Sequence, residues 1–336
     1  MSDNSTEPTK EQNTKILLTG GAGFIGSNLV EAMLQDERIG LVRVIDNLAT
    51  GHRSNIEPFM NHPKFEFVWG DIREYATCLD VSKGMDKICH LAALGSVPRS
   101  IQHPVTTNNV NITGTLNIFT AARELGIKRV VYAASSSTYG DSKELPKRED
   151  RIGSPISPYA VTKLVNELYA KVYGELYGME FIGLRYFNIF GPKQDPNGAY
   201  AAVIPLFVKA LLYDKAPRIN GDGEQSRDFT YVDNAVQANI KALFTQNPKA
   251  VNQVYNIACG DRITINELYN YLRDLAHSEL QAEYGPERAG DVKHSLADIS
   301  KAQKLLGYVP EVSVREGLRK VYGWYAEGFF HGGGEG

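Results

Sequence analysis

Cysteine is scarce in this chain: three in 336 residues, at Cys78, Cys89 and Cys259. They are too few and too widely spaced for a disulfide framework or a zinc site, and read as buried thiols of a reducing compartment. Histidine is also sparse, with seven, and none forms an H-E-x-x-H pair, so no metal is expected. No long apolar run occurs. Residues 1–13 are polar and acidic and give way at once to an apolar strand pattern at Lys15. Neither a secretory signal nor a membrane span is therefore read, and a cytoplasmic protein is expected. The formal net charge is only −3, so neither nucleic acid nor an anionic membrane is expected as a partner.

What is present points to a folded enzyme. At 43% hydrophobic residues the chain can bury a sizeable core, as one large domain or two smaller ones. In the first half, short β-branched runs at 16–18, 41–45, 65–68, 87–91 and 129–133 alternate with helical patterns at 26–34, 110–125 and 158–177. Such alternation implies an α/β fold with a parallel, doubly wound sheet covered by helices. Further strands are read at 184–187 and 254–257, and further helices near 201–213, 264–275 and 313–325. Proline and glycine gather at 191–198 and 217–223. The expected organisation is a dinucleotide-binding Rossmann domain over 1–187, with returning segments near 228–260. A smaller interwoven substrate lobe takes up 188–330, and 1–13 and 331–336 are expected to be disordered.

The first strand runs into Gly20-Gly-Ala-Gly23-Phe24-Ile25-Gly26 and then a helix. Three glycines alone make an ordinary tight turn; between strand and helix they make a pyrophosphate cradle. Gly20 permits the turn, Gly23 lets the backbone approach the phosphates, and Gly26 lets helix and strand pack closely, with the helix N-terminus facing the anion. The second strand ends in Asp46-Asn47, twenty residues after Gly26. A carboxylate there accepts from both ribose hydroxyls and repels a 2′-phosphate, favouring NAD over NADP, a preference that the nearby Arg53 tempers. Asp71-Ile72 closes the third strand, where the carboxylate serves either the adenine amino group or a helix cap.

Pro158-Tyr159-Ala-Val-Thr-Lys163 opens a helix, with Tyr159 and Lys163 four apart on one face. A free phenol, with pKa about 10, is a poor base at neutral pH. A neighbouring ammonium and a cationic nicotinamide favour the phenolate. A packed tyrosine beside a solvated lysine has the same spacing. Ser135, Ser136 and Ser137, about 24 residues upstream at a strand's C-terminal end, add hydroxyls where parallel sheets bind ligands.

Taken together, these residues resemble the extended short-chain dehydrogenase/reductase family from Lys15 to about Trp324. Within it, the chain looks like the nucleotide-sugar 4-epimerases related to UDP-galactose 4-epimerase, most of all bacterial UDP-N-acetylglucosamine 4-epimerases. The strings Gly95-Ser-Val-Pro-Arg-Ser100, Ala133-Ala-Ser-Ser-Ser-Thr-Tyr-Gly140, 194–205 and Asp291-Val-Lys-His-Ser295 carry that likeness.

The resemblance implies an NAD-dependent enzyme that oxidises a UDP-hexose at C4 and reduces it again, with Tyr159 as base, Lys163 as its electrostatic partner and Ser135 as proton relay. It implies Leu91, Ala92, Ala93, Asn111 and Tyr186 along the nicotinamide half of NAD, beside His90. For the substrate it implies Gly95, Ser96, Arg99, Ser136, Asn188, Gln194, Ala202 and Val203. Arg227 and Arg288 would hold the diphosphate and Asp291 the uridine ribose; without the family context each arginine reads as a surface ion pair. A bulky aromatic at the Ser295 position would narrow the pocket around the sugar C2 substituent, whereas serine leaves room for an N-acetyl group. Related dehydratases place an Asp-Glu pair where this chain has Ser136-Ser137, and decarboxylating relatives a Glu at the second position, so neither reaction is expected. The remaining readings are a UDP-glucuronate or UDP-glucose 4-epimerase, and a non-catalytic NAD-binding regulator. A homodimer is expected from the family, through helices such as 109–125 and 158–177.

Overall fold

The computed structural model describes residues 13–197, 201–287 and 293–331. Seven strands form its central sheet: β1 (Thr14–Thr19), β2 (Ile39–Asp46), β3 (Phe65–Trp69), β4 (Lys87–His90), β5 (Arg129–Ser135), β6 (Glu180–Tyr186) and β7 (Gln253–Ile257). Their order is β7-β6-β5-β4-β1-β2-β3, and every pair is parallel. Ile16, Leu17 and Leu18 are consecutive and all fully buried. A strand needs that pattern when helices cover both faces of its sheet. One face packs against helices Phe24–Gln35 and Val232–Phe244; the other packs against Tyr75–Ser82, Thr115–Glu124 and Pro158–Tyr177.

Strand order reverses between β1 and β4, the switch point where such sheets open a crevice at their C-terminal ends. Register brings those ends level: Thr19 lies opposite Ile45 and His90, and Ser135 opposite Tyr186. Helix Pro158–Tyr177 starts where its sequence says it should. The Ser157 hydroxyl accepts from the Ala160 N–H at 3.1 Å, proline occupies the first turn, and Gly178 closes the helix in the left-handed conformation.

Beyond β6, helices Val203–Leu212, Ile265–Leu275 and Val314–His331 pack around Phe190, Phe207, Leu268 and Leu318. Three two-stranded pairs also lie in this part of the chain, and helix Val314–His331 reaches the first residue of the expected tail. The remainder of both termini expected to be disordered, 1–12 and 332–336, lies outside the described residues. One expected helix differs in kind. The 110–125 pattern is a π-helical turn over Asn109–Gly114 followed by an α-helix over Thr115–Glu124. Two helices beside the site, Tyr75–Ser82 and Val97–Gln102, are too short to show a period in the sequence.

Candidate active site

A cavity of about 590 Å³ runs across the C-terminal ends of the strands, from the glycine turn to Tyr159, Lys163 and Asn188. At one end Gly20 has φ +76°, and a Cβ on Gly26 would sit 2.1 Å from the Gly20 carbonyl oxygen. Gly26 is thus required by the turn beyond β1 rather than by the strand itself. No side chain caps helix Phe24–Gln35 and no acidic residue stands in its first turn. Its amide end is therefore left to an anion, flanked by Gly23, Phe24 and Ile25 in the cavity wall.

Asp46 is buried beside this turn. Its carboxylate accepts from the Ala22 N–H at 2.9 Å and the Leu48 N–H at 2.8 Å, so it braces the glycine loop as well as facing the cavity. Burial raises its pKa despite those bonds. Asp71 is held differently. The Arg73 guanidinium grips it at 2.7 and 3.0 Å, and the Asn47 amide donates to it at 2.8 Å, holding its pKa down at about 2. Asn47, Asp71 and Ile72 all line the cavity. Arg53 points elsewhere and pairs with Glu57 at 3.1 Å, so the residue that tempered the NAD preference is not in the wall.

The middle of the cavity follows Leu91, Ala92, Ala93, Gly95 and Ser96. Behind it lies a closed polar chain. The Thr115 hydroxyl donates to the Asn111 carbonyl at 2.6 Å, so it must accept from His90 Nε2 at 2.9 Å. His90 Nδ1 is then an acceptor, receiving the Thr19 hydroxyl at 2.7 Å, while Thr19 Oγ1 accepts from the Ala92 N–H at 3.1 Å. This fixes a neutral imidazole with its proton on Nε2. Burial, with the Lys163 charge as second cause, pushes its pKa down to about 3. Asn111 also stands behind the wall. Its amide bonds both polar groups of the Leu94 backbone and the Thr162 hydroxyl, tying the cavity loop to the Tyr159 helix. Asn111 thus braces the cavity wall from behind rather than lining it, within the π-helical turn.

At the far end, Ser135 Oγ accepts from both the backbone N–H and the hydroxyl of Ser137, at 3.1 and 2.9 Å. With its acceptor sites so used, its own proton is directed outward, and a hydrogen bond from Ser135 lowers the pKa of Tyr159. Burial is the larger influence and raises it. Lys163 Nζ lies 5.9 Å from the centre of the phenol ring and donates to the Ala133 carbonyl at 2.8 Å. Burial holds its own pKa down at about 8. Ser136 and Tyr186 complete this end.

A second cavity of about 280 Å³ begins at Asn188 and Ile189, which belong to both walls, and includes the predicted Ala202, Val203 and Arg227. Asn188 has φ +39° and anchors its amide on the Asp228 carbonyl at 2.9 Å. Arg218 and Gln225 also line this cavity and were not singled out in the sequence; the only signal was the proline and glycine around 217–223. Besides Asn111, three predicted residues lie in neither wall. Arg99 is on helix Val97–Gln102, Gln194 donates to the Ile189 carbonyl at 3.4 Å, and the Ser295 N–H bonds the Ser226 carbonyl at 3.0 Å beside Arg227. Arg288 and Asp291 lie outside the described residues. Among the described residues no cluster of potential metal ligands occurs, and no helix is long and apolar enough to cross a membrane.

Residues 16–258 match the model of the NAD dependent epimerase/dehydratase family. A UDP-glucose 4-epimerase of Mycolicibacterium smegmatis is 36% identical over 309 residues, 91% of this chain and 97% of that protein. Among solved structures, a UDP-N-acetylglucosamine 4-epimerase from Methanobrevibacter ruminantium in complex with UDP-N-acetylmuramic acid superposes with a TM-score of 0.89 at 40% identity, covering 95% of this chain and 100% of that one. A UDP-glucuronic acid 4-epimerase from Bacillus cereus in complex with UDP-glucuronic acid and NAD gives 0.86 at 31% identity, covering 94% and 100%.

Proposed function

We propose that this chain, which belongs to the NAD-dependent epimerase/dehydratase family and is an NAD-dependent UDP-sugar 4-epimerase, takes UDP-N-acetylglucosamine as its preferred substrate and forms UDP-N-acetylgalactosamine. The observation that carries the substrate choice is the 40% identity to a UDP-N-acetylglucosamine 4-epimerase over 95% of the chain. Among the described residues the first cavity's wall contains one cationic side chain, Lys163. A glucuronate carboxylate would rest there on hydroxyls such as those of Ser135 and Ser136, so UDP-glucuronate stays an alternative. UDP-glucose remains the second reading, because the Mycolicibacterium smegmatis relative bears that name.

The glycine turn, Asp46 and the amide end of helix Phe24–Gln35 would hold NAD, which supplies a hydride acceptor and donor for sugar C4. Tyr159 takes the proton of the 4-hydroxyl, directly or through Ser135, and returns it after the sugar has turned. Turning requires a firm hold on the nucleotide and a loose one on the sugar. Arg227, across the Asn188–Ile189 wall from Tyr159, suits the first need, and the small Gly95 and Ser96 the second. The three cysteines are free, as suits a cytoplasmic enzyme supplying sugars for surface polysaccharide. Val161, Leu168, Val172 and Leu176 form an exposed apolar row on helix Pro158–Tyr177, near Ile101 and Val105, and suit a homodimer contact.

Proton NMR of the purified protein with UDP-N-acetylglucosamine, without added NAD, tests the reading. Formation of UDP-N-acetylgalactosamine supports it. Turnover of UDP-glucose or UDP-glucuronate alone would overturn the substrate choice and leave the reaction class standing.

A further inference from the structure

Lys163 is 3% exposed, and one of its three N–H groups is taken by the Ala133 carbonyl. An ammonium buried on a carbonyl dipole is poorly compensated, because desolvation favours the neutral amine. One helical turn further on stands Glu167, in line with Tyr159 and Lys163 at intervals of four residues. Its two oxygens receive the Nε and Nη2 of Arg185 at 2.9 and 2.7 Å, and the two side chains are 9% and 3% exposed. Arg185 lies on β6 opposite Ala134, the residue after the carbonyl that receives Lys163. The ion pair therefore bolts the catalytic helix to the sheet one step from the lysine's acceptor.

We propose that Glu167, fixed by Arg185, is a positioning residue for the reaction: held one helical turn from Lys163 and anchored to β6 beside Ala133, its carboxylate keeps the ammonium seated on that carbonyl. The inference rests on the proposed function above, with Tyr159 as base and Lys163 as its cationic partner. Other ionisable groups on the elements packed around Lys163 do not compete for this role. On its own helix Tyr159 is the nearest. His90 on β4 is a neutral imidazole, and Tyr132 on β5 and Tyr186 on β6 are phenols that burial keeps protonated. Tyr139, in the turn after β5, is likewise raised, to about 12. Arg99 is the one ionisable residue of Val97–Gln102, Pro104–Asn108 has none, and Arg123 and Glu124 end Thr115–Glu124. Glu167 is the one group found to oppose the burial of Lys163 by raising its pKa.

A bolt that only held the fold would change stability and leave the titration alone. The experiment is the kcat–pH profile of the NAD-loaded enzyme, on whichever UDP-sugar the wild type epimerises. Glu167→Gln removes the carboxylate and leaves Arg185 uncompensated, so the alkaline limb moves down by about one pH unit, with KM within about twofold. Glu167→Asp keeps the charge and holds the limb within about 0.3 unit of wild type. If Glu167→Gln does not fold, Glu167→Leu/Arg185→Met replaces the pair by apolar groups of similar size, which buried pairs tolerate. It also shifts the limb downward. An unmoved limb in either variant overturns the proposal. Tyr159→Phe is the control: if it stays active, the assignment beneath this inference has failed; if it is dead and the limb is unmoved, only the inference has.

Discussion

Ser135 and Tyr159 stand together at the end of the cavity, where Ser135 eases ionisation of the phenol, although they come from different elements: the last residue of β5 and the first turn of the following long helix. Two bonds from Ser137 fill the acceptor sites of Ser135, so its hydroxyl proton is free for the phenol oxygen. In the function proposed above the pair acts as a unit, with Ser135 stabilising the phenolate and providing a route for its proton. Tyr159→Phe should therefore lower kcat by about 10²–10⁴-fold with the fold and the bound NAD retained. Ser135→Ala should lower it less, about 10–100-fold. Initial rates by NMR, with bound NAD quantified after denaturation, check both; full activity in the Phe variant would remove Tyr159 from the base role.

Gly26 has no space for a side chain. The obstacle is the Gly20 carbonyl, and backbone cannot swing aside as a long side chain would. Gly26→Ala should destabilise the protein by about 1–3 kcal/mol and reduce retained NAD. Thermal unfolding and cofactor content are the readouts, and an unchanged melting temperature with full NAD would show that the turn is softer than argued.

His90 carries a pH dependence whose sign follows from its environment. In the folded chain its pKa is about 3, while unfolded it is about 6.5. Between these values the unfolded state binds a proton that the folded state refuses, so stability is complete above about pH 6.5 and falls as pH drops toward 3. Denaturant unfolding at pH 7 and pH 5 should show the loss, and His90→Gln should flatten the slope over that interval. An equal slope in the variant would place the acid sensitivity elsewhere.

The row of Val161, Leu168, Val172 and Leu176 predicts an assembly property. Leu168 is 55% exposed and Leu176 69%, so a charge at either costs little in an isolated chain. Leu168→Glu should turn a dimer into a monomer while Tyr159 on the inner face of the helix stays in place. Light scattering behind a sizing column decides it. A wild type that is already monomeric at micromolar concentration would remove the dimer from the proposal.

Much of this site was legible because local chemistry and tertiary placement agree. The glycine turn, Asp46, Tyr159 and Lys163 stand at fixed offsets from strand and helix signals, and the parallel sheet then brings those ends together. The second cavity was harder to read. Arg218 reaches it from a three-residue strand and Gln225 from a loop, both too short to show a period. Asn111 shows the opposite limit. The sequence places an amide near the cofactor, but only the coordinates show that the Leu94 backbone and Thr162 use up that amide behind the wall. The partnership of Glu167 with Arg185 spans a helix and a strand, and a spacing pattern within one element does not show it.

The outermost strand beside β6 comes from residues 253–257, after the whole excursion through Asn188, Arg227 and helix Val232–Phe244. On the ribosome, β6 therefore stays an open sheet edge until that late strand emerges, with bare N–H and C=O groups exposed to neighbouring chains. Nascent molecules truncated before residue 253 would carry the complete glycine cradle and the Tyr159 pair, yet they should be aggregation-prone intermediates, because the strand that pairs with β6 is the last of the central sheet to be made.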